Sequence, residues 1–271
     1  MITSRFTHIT PEMAKAWLVH NTANRKLRLD AVAAMARDME NGAWQTTHQG
    51  IAFDKNGTLI DGQHRLAAIV KSGVAVDMLV MRGFEPNSIN FIDIGTKRKT
   101  PDVLAIKYAN VPAMRDTMVV STLAKILRHK LGYGHQPTAF EIEQAELKYP
   151  AVVETIYYFG NKHKGCRKTH VMSTALAAAV AGVPVRHIDA FLGVLGKNMI
   201  PRDVAYNIKA ALDYKDAEPI RNGGDFLQNE KLCQQALWLF YNNRKRLPAG
   251  FAAGTIYPLN AVNIETFKGI E

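Results

Sequence analysis

The sequence predicts an α+β protein, in which an N-terminal mixed α/β unit over residues 1–100 is followed by a mainly α-helical unit over residues 101–271. Three observations carry this expectation. Asn56-Gly57 stands between the apolar runs at 50–54 and 58–61, the strongest short-range pattern for a β-hairpin. From Thr100 onward nearly every stretch has helical periodicity, punctuated by proline and glycine, with no second strand pair. Between residues 99 and 101 a basic run meets a helix start, which places the boundary.

The elements follow in order. Thr10-Pro11-Glu12 combines an N-cap side chain with a proline at the first helical position, so a short helix opens there and runs to about Val19. Val32, Met35, Ala36 and Met39 recur at three- and four-residue spacing ahead of Asn41-Gly42, which describes a second helix with one apolar face. The hairpin comes next. Leu66, Ala67, Ile69 and Val70 then form a short buried helix ending at Ser72-Gly73, and residues 74–80 form another strand. In the second unit, helices are expected at about 101–109, 112–131, 138–148, 150–160, 169–181, 185–196, 202–214 and 225–243. Thr138 with Glu141 reads as a capping box and Thr100-Pro101 as a cap; Pro112, Pro150, Pro184 and Pro201 each suit a first helical turn. Residues 248–271 lack periodicity and are expected to wrap over the bundle.

A 47% hydrophobic fraction over 271 residues is enough for a real core, and excludes a disordered tail, a collagen or a disulfide miniprotein. The longest weakly polar run, at 175–185, is about half of what a membrane span needs. The opening Met1-Ile2-Thr3-Ser4-Arg5 contains no apolar signal-peptide core, so a cytoplasmic location is expected. Cys166 and Cys233 stand in unrelated contexts and provide neither a CxxC metal pair nor a disulfide framework. Thirty-four Lys and Arg against twenty-four Asp and Glu leave a net charge of +10, which favours a polyanionic partner, nucleic acid or nucleotide.

The sharpest local feature is Asp61-Gly62-Gln63-His64-Arg65, at the junction of the second hairpin strand with the following helix. Such a junction aims backbone N–H groups outward at the positive end of a helix, and a glycine lets a phosphate come close to the backbone. Arg65 can fork onto phosphate oxygens. His64 can donate to the same oxygens or move a proton. Asp61 can hold a metal carried by a nucleotide or accept a hydroxyl proton. The same residues also fit an ordinary tight turn, with Asp61 as a cap and Arg65 bridged to Asp77 or Asp93.

Gly42-Ala43-Trp44, Gly50-Ile51, Gly57-Thr58-Leu59-Ile60 and Asp61-Gly62-Gln63-His64-Arg65-Leu66-Ala67-Ala68-Ile69 together resemble the DGQHR-type branch of the ParB/sulfiredoxin-like superfamily, found in bacterial and phage genomes in DNA-modification or mobile-element settings. The likeness covers about residues 5–100 and is specific at the turn. It implies a turn that binds nucleotide phosphates, those of CTP in partition ParB proteins and of ATP or ADP in sulfiredoxins and free-serine kinases. Gly62, Gln63 and Arg65 would then hold ATP or CTP with its Mg²⁺, with Asp61 and His64 as the groups able to do chemistry. Sulfiredoxins carry a cysteine where Gln63 stands, which removes sulfinic-acid reduction. ParB clamps carry a glutamate and two arginines, where this chain has Gln63, His64 and one arginine. The kinases use an upstream acidic base, for which Asp54 is the nearby candidate.

A second basic feature, Gly95-Thr96-Lys97-Arg98-Lys99, precedes the helix start at Thr100 and offers a second cationic wall, or a solvated linker. In the helical unit, Lys162, Lys164, Arg167 and Lys168 form a basic loop suited to phosphate contact. Tyr157, Tyr158 and Phe159 before it fit either base stacking or helix core. Arg244, Lys245 and Arg246 are explained by the dipole at a helix end. The pair 138–148 and 150–160 lacks the glycine turn of a helix-turn-helix. HExxH, Walker and GxSxG motifs are absent, and histidines 129, 135, 163, 170 and 187 have no ligand spacing. The expectation is a DNA-binding or DNA-processing protein with a nucleotide or phosphate site. A phosphotransferase or nuclease acting at the turn, and a non-enzymatic interaction or regulatory protein, stay open, as does a homodimer.

Overall fold

The computed structural model describes residues 1–22, 24–92, 98–131, 136–196, 223–243, 257 and 263–270. The chain has mixed α and β content and divides into two compact units, Met1–Arg98 with Gly134–Phe140, and Lys99–Tyr133 with Glu141–Glu271.

The first unit contains β1 (Thr3–Ile9), α1 (Pro11–Leu18), α2 (Leu29–Glu40), β2 (Ile51–Asp54), β3 (Leu59–Asp61), α3 (Gln63–Ser72) and β4 (Val76–Phe84), followed by a 3₁₀ turn at Pro86–Phe91. The strands form one mixed sheet in the order β1-β4-β2-β3, with β1 antiparallel to β4, β4 parallel to β2, and β2 antiparallel to β3. Thr10 caps α1 by accepting from the Met13 N–H at 3.3 Å, with Pro11 in the first turn. The hairpin turn is closed by Asp54, whose Oδ1 accepts from the Asn56 and Thr58 N–H groups at 2.9 and 2.8 Å, while Gly57 takes φ +82°. Asp54 is 6% exposed and engaged in this turn, which gives it a structural task in place of the catalytic base suggested above.

β1 is not predicted by the sequence. Of its seven residues only Ile9 is buried, so the apolar alternation that marks a half-buried strand is missing, and pairing with β4 alone orders it. The core of the unit lies between one sheet face and α1 to α3. Ile9, Ile51, Phe53, Leu59, Val76, Met78 and Val80 pack there on Ala14, Val32, Ala36, Met39, Leu66 and Ile69. Fully burying a side chain of this size contributes about 1.5–3 kcal/mol.

The second unit contains α4 (Thr100–Lys107), α5 (Thr117–Leu131), α6 (Ala139–Lys148), α7 (Pro150–Lys162), a 3₁₀ turn at Lys164–Cys166, α8 (Thr169–Val180), α9 (Val185–Gly196) and α10 (Gly223–Tyr241). Residues His170 to Ala178 of α8 are all buried. A helix apolar all round belongs in a core, and α8 packs against α5, α7, α9 and α10. The weakly polar run at 175–185 is therefore largely core helix and turn, and no helix of the described residues is long and apolar enough to cross a membrane.

Two helix starts differ from expectation. α4 begins at Thr100 with Lys99 as its cap residue, because the Asp102 carboxylate reaches back to the Lys99 N–H at 2.8 Å. α5 starts at Thr117, well after Pro112, because turns closed by Val111 N–H to Tyr108 O and Met114 N–H to Val111 O occupy that stretch. Asp116 then caps α5, its Oδ1 accepting from Met118 N–H at 2.8 Å. Only Tyr149 separates α6 from α7. The expected helix at 202–214, Pro201 and residues 244–246 lie outside the described residues. Of the tail, Tyr257 and Ile264 are buried in the helical core and Phe267 packs against it.

Candidate functional site

Asp61 ends β3 and Gln63 begins α3, so Gly62 must turn the chain within one residue. It does so at φ +99°, a conformation that strains any residue with a Cβ. A Cβ at this position would lie 2.5 Å from Ile51 Cδ1 and 3.2 Å from Gly50 O. Gly50 is itself bound to its identity, since a Cβ there would meet the Leu79 carbonyl oxygen at 1.7 Å. Among the described residues no side-chain bond caps the first turn of α3. Its positive end is therefore left to be met by something else.

Around that end is a cleft of about 930 Å³, lined by Arg25, Arg28, Arg65 and Arg98, by His48 and His64, and by the carboxylates Asp38 and Asp61. Arg65 is the most constrained of these cations. Its Nη1 donates to Gly50 O at 2.8 Å and faces Asp61 Oδ2 at 3.4 Å, and its Nη2 donates to Gln49 Oε1 at 3.2 Å. Only 13% of the Arg65 side chain is exposed, so its fork is held by the fold. The proposed alternative bridge to Asp77 is not made: Asp77 pairs with His8 at 2.9 Å, while Asp93 lies outside the described residues.

Asp61 accepts from the Gly62 N–H at 2.6 Å through Oδ1 and pairs with Arg65 through Oδ2. Gln63 is 5% exposed, and both ends of its amide are used by the chain: Oε1 accepts from Asn21 Nδ2 at 3.0 Å, and Nε2 donates to Arg25 O at 2.8 Å. Asn24 adds bonds to Asn21 Oδ1 and to Leu59 O. His64 Nε2 accepts from the Arg28 N–H at 3.0 Å, which places a ring proton on Nδ1. Gln63 and His64 thus tie down the loop between α1 and α2, and that loop carries Arg25 and Arg28 to the cleft.

Arg25 and Arg28 are the functional candidates that sequence reasoning missed. The run Arg25-Lys26-Leu27-Arg28 was visible as a basic stretch, but nothing local links it to a turn some forty positions later. Trp44, whose ring lines the cleft and whose Nε1 is buried without a partner, was likewise legible only as part of the resemblance. Of the second basic feature, Arg98 lines the cleft and is exposed, Lys99 is the cap residue of α4, and Lys97 lies outside the described residues.

In the helical unit the basic loop is divided. Lys162 donates to Asp189 at 2.6 Å, and this bond with one to the Tyr158 hydroxyl raises its pKa. Burial alone would raise the Asp189 carboxyl, but bonds from Lys162, His163 and Tyr158 hold it below the ordinary range. Arg167 Nη2 donates to both Asp116 oxygens, at 2.7 and 2.9 Å. Lys164 and Lys168 are exposed. Lys162 and Arg167 therefore have internal carboxylate partners, a different role from the phosphate contact expected of them. Phe159 is fully buried, Tyr157 packs on the core and Tyr158 binds Asp189, so this trio is helix core in place of a stacking platform.

The cleft can accept an anion through several fixed donors at once: arginine forks, uncapped N–H groups of α3 and a backbone that Gly62 leaves open. Comparison with protein-family models, with curated proteins and with solved structures gives no match for this chain.

Proposed function

We propose that the N-terminal unit binds the phosphates of a nucleotide at the Gly62 turn, in a protein that works on or with DNA. The observation that carries this reading is the uncapped positive end of α3 opening into a cleft lined by four arginines against two carboxylates. Gly62 would let the phosphate reach the backbone, Arg65 would add a fixed positive charge beside it, and Arg98 together with Arg28, which would exchange its bond to Asp30 at 3.0 Å for one to the ligand, would close on the remaining charge. Asp61 would position Arg65 and take part in binding a metal brought by the nucleotide. The net charge of +10 supports a polyanionic partner for the whole chain. Binding is favoured over turnover because Asp61 is already committed to the Gly62 N–H and to Arg65, and His64 Nε2 to the Arg28 N–H.

Thermal melts and calorimetry of the full chain with ATP, ADP, CTP and GTP, with and without magnesium, test the reading. Arg28→Ala and Arg98→Ala are the informative variants, because both side chains are exposed and can be removed without opening the core. A ligand at a hundred times its Kd should stabilise the wild-type unit by about 2.7 kcal/mol. Both variants should lose most of that gain. A wild-type melting temperature that no nucleotide moves would refute the proposal.

A further inference from the structure

Arg5 on β1 and Arg82 on β4 form a second cationic feature, and neither lines the cleft. The register pairs Thr3 with Arg82 and Arg5 with Val80, so both arginine side chains leave the same sheet face on a cross-strand diagonal. Diagonal neighbours of this kind lie roughly 7–8 Å apart, within reach of one another's side chains.

Arg82 is held in place. Its guanidinium carbon stands 4.0 Å from the centre of the Phe53 ring and 5.4 Å from that of Trp17, and the two rings meet edge to face at 5.6 Å. Such a shelf orients the planar fork and leaves its edge N–H groups free to donate. Arg5 is exposed beside it. Among the described residues neither arginine has a carboxylate partner. Burial, followed by the charge of Arg5, lowers the pKa of Arg82, so two like charges face each other uncompensated.

The shelf explains why a planar cation stands at Arg82, but it gives no reason for a second cation at Arg5. An anion between them explains both: two guanidinium forks can share the non-bridging oxygens of one phosphodiester, and the ligand then replaces the missing counter-charge. We propose that Arg5 and Arg82 together grip a backbone phosphate of a nucleic acid. The inference deepens the nucleic-acid half of the reading above and makes no use of the cleft.

Fluorescence anisotropy of a short labelled DNA duplex and of its single strand, titrated with the full chain over a salt series, decides it. Arg5→Gln should weaken DNA binding and lower the log–log salt slope by about one, the signature of one lost phosphate contact. Arg5→Lys should keep most of the affinity. Arg82→Gln should behave as Arg5→Gln does. Because that change also removes a group stacked on the core, Arg5→Gln, altering only an exposed side chain, is the decisive variant. Wild-type binding with an unchanged slope in Arg5→Gln overturns the phosphate grip and leaves the cleft reading intact. Absence of salt-dependent DNA binding by the wild type, or displacement of the DNA by polyglutamate at equal charge concentration, overturns both the grip and the nucleic-acid role.

Discussion

Glu146 should make the helical unit less stable as pH rises, and Glu146→Gln should remove that dependence. The side chain is 2% exposed on α6, and neither carboxylate oxygen meets a hydrogen-bond donor among the described residues. Burial, with the charge of Glu143 added, pushes its pKa up to about 8. Glu143 differs: burial would raise it as well, but Lys107 and the Tyr108 hydroxyl bond to it and hold it below the ordinary value. The unfolded chain gives up the Glu146 proton near 4.5 and the folded chain near 8, so between those values the native state holds the additional proton. Stability is then fully present below the lower value, falls through the interval, and levels off above the upper one. Each pH unit is about 1.4 kcal/mol, so moving from pH 5 to pH 7 removes roughly 2–3 kcal/mol. For a unit of this size that is about 5–10 °C in Tm. Glutamine mimics the protonated acid, so the variant curve should be flatter by that amount. Circular-dichroism melts of both proteins across this range measure it directly. Parallel curves for the two proteins would refute the reasoning.

Other substitutions test the construction of the turn and the helical unit. Gly62→Ala forces a Cβ into φ +99° beside Ile51 and should cost about 1–3 kcal/mol in urea unfolding; an unchanged midpoint would contradict the geometry. Gln63→Ala frees Asn21 and the Arg25 carbonyl, so hydrogen exchange at the Arg28 amide should quicken; exchange as slow as in the wild type would show that the loop is held by something else. Asp54→Ala removes two turn bonds, with an expected loss of about 1–2 kcal/mol and the nucleotide response retained; loss of binding without loss of stability would restore Asp54 as a site residue. Asp116→Ala uncaps α5 and unpairs Arg167, for an expected destabilisation of about 1–2 kcal/mol, and a neutral result would make Arg167 available for the contact first expected of it.

Wherever local chemistry decides the backbone, the sequence was readable. Asn56-Gly57 announced the hairpin, Thr10-Pro11 the start of α1, and Ser72-Gly73 the end of α3, each through a residue whose own conformational limits act within a few positions. Asp61 to Arg65 stood out for the same reason: a glycine at a strand-to-helix junction has few other uses. β1 escaped notice because an edge strand exposed on both faces carries no periodic signal, and the Pro112 start failed because Asp116 offered a better cap four residues later. The division of the basic residues was not local at all. Whether an arginine is available to a ligand depends on which carboxylate the fold brings to it, and those partners are far away in sequence: Arg167 finds Asp116, Lys162 finds Asp189, and Arg5 and Arg82 find none among the described residues. Composition could announce a surplus of positive charge, but charge neutralisation acts through space over a few ångströms, so only the folded chain could decide which cations gather around the Gly62 turn.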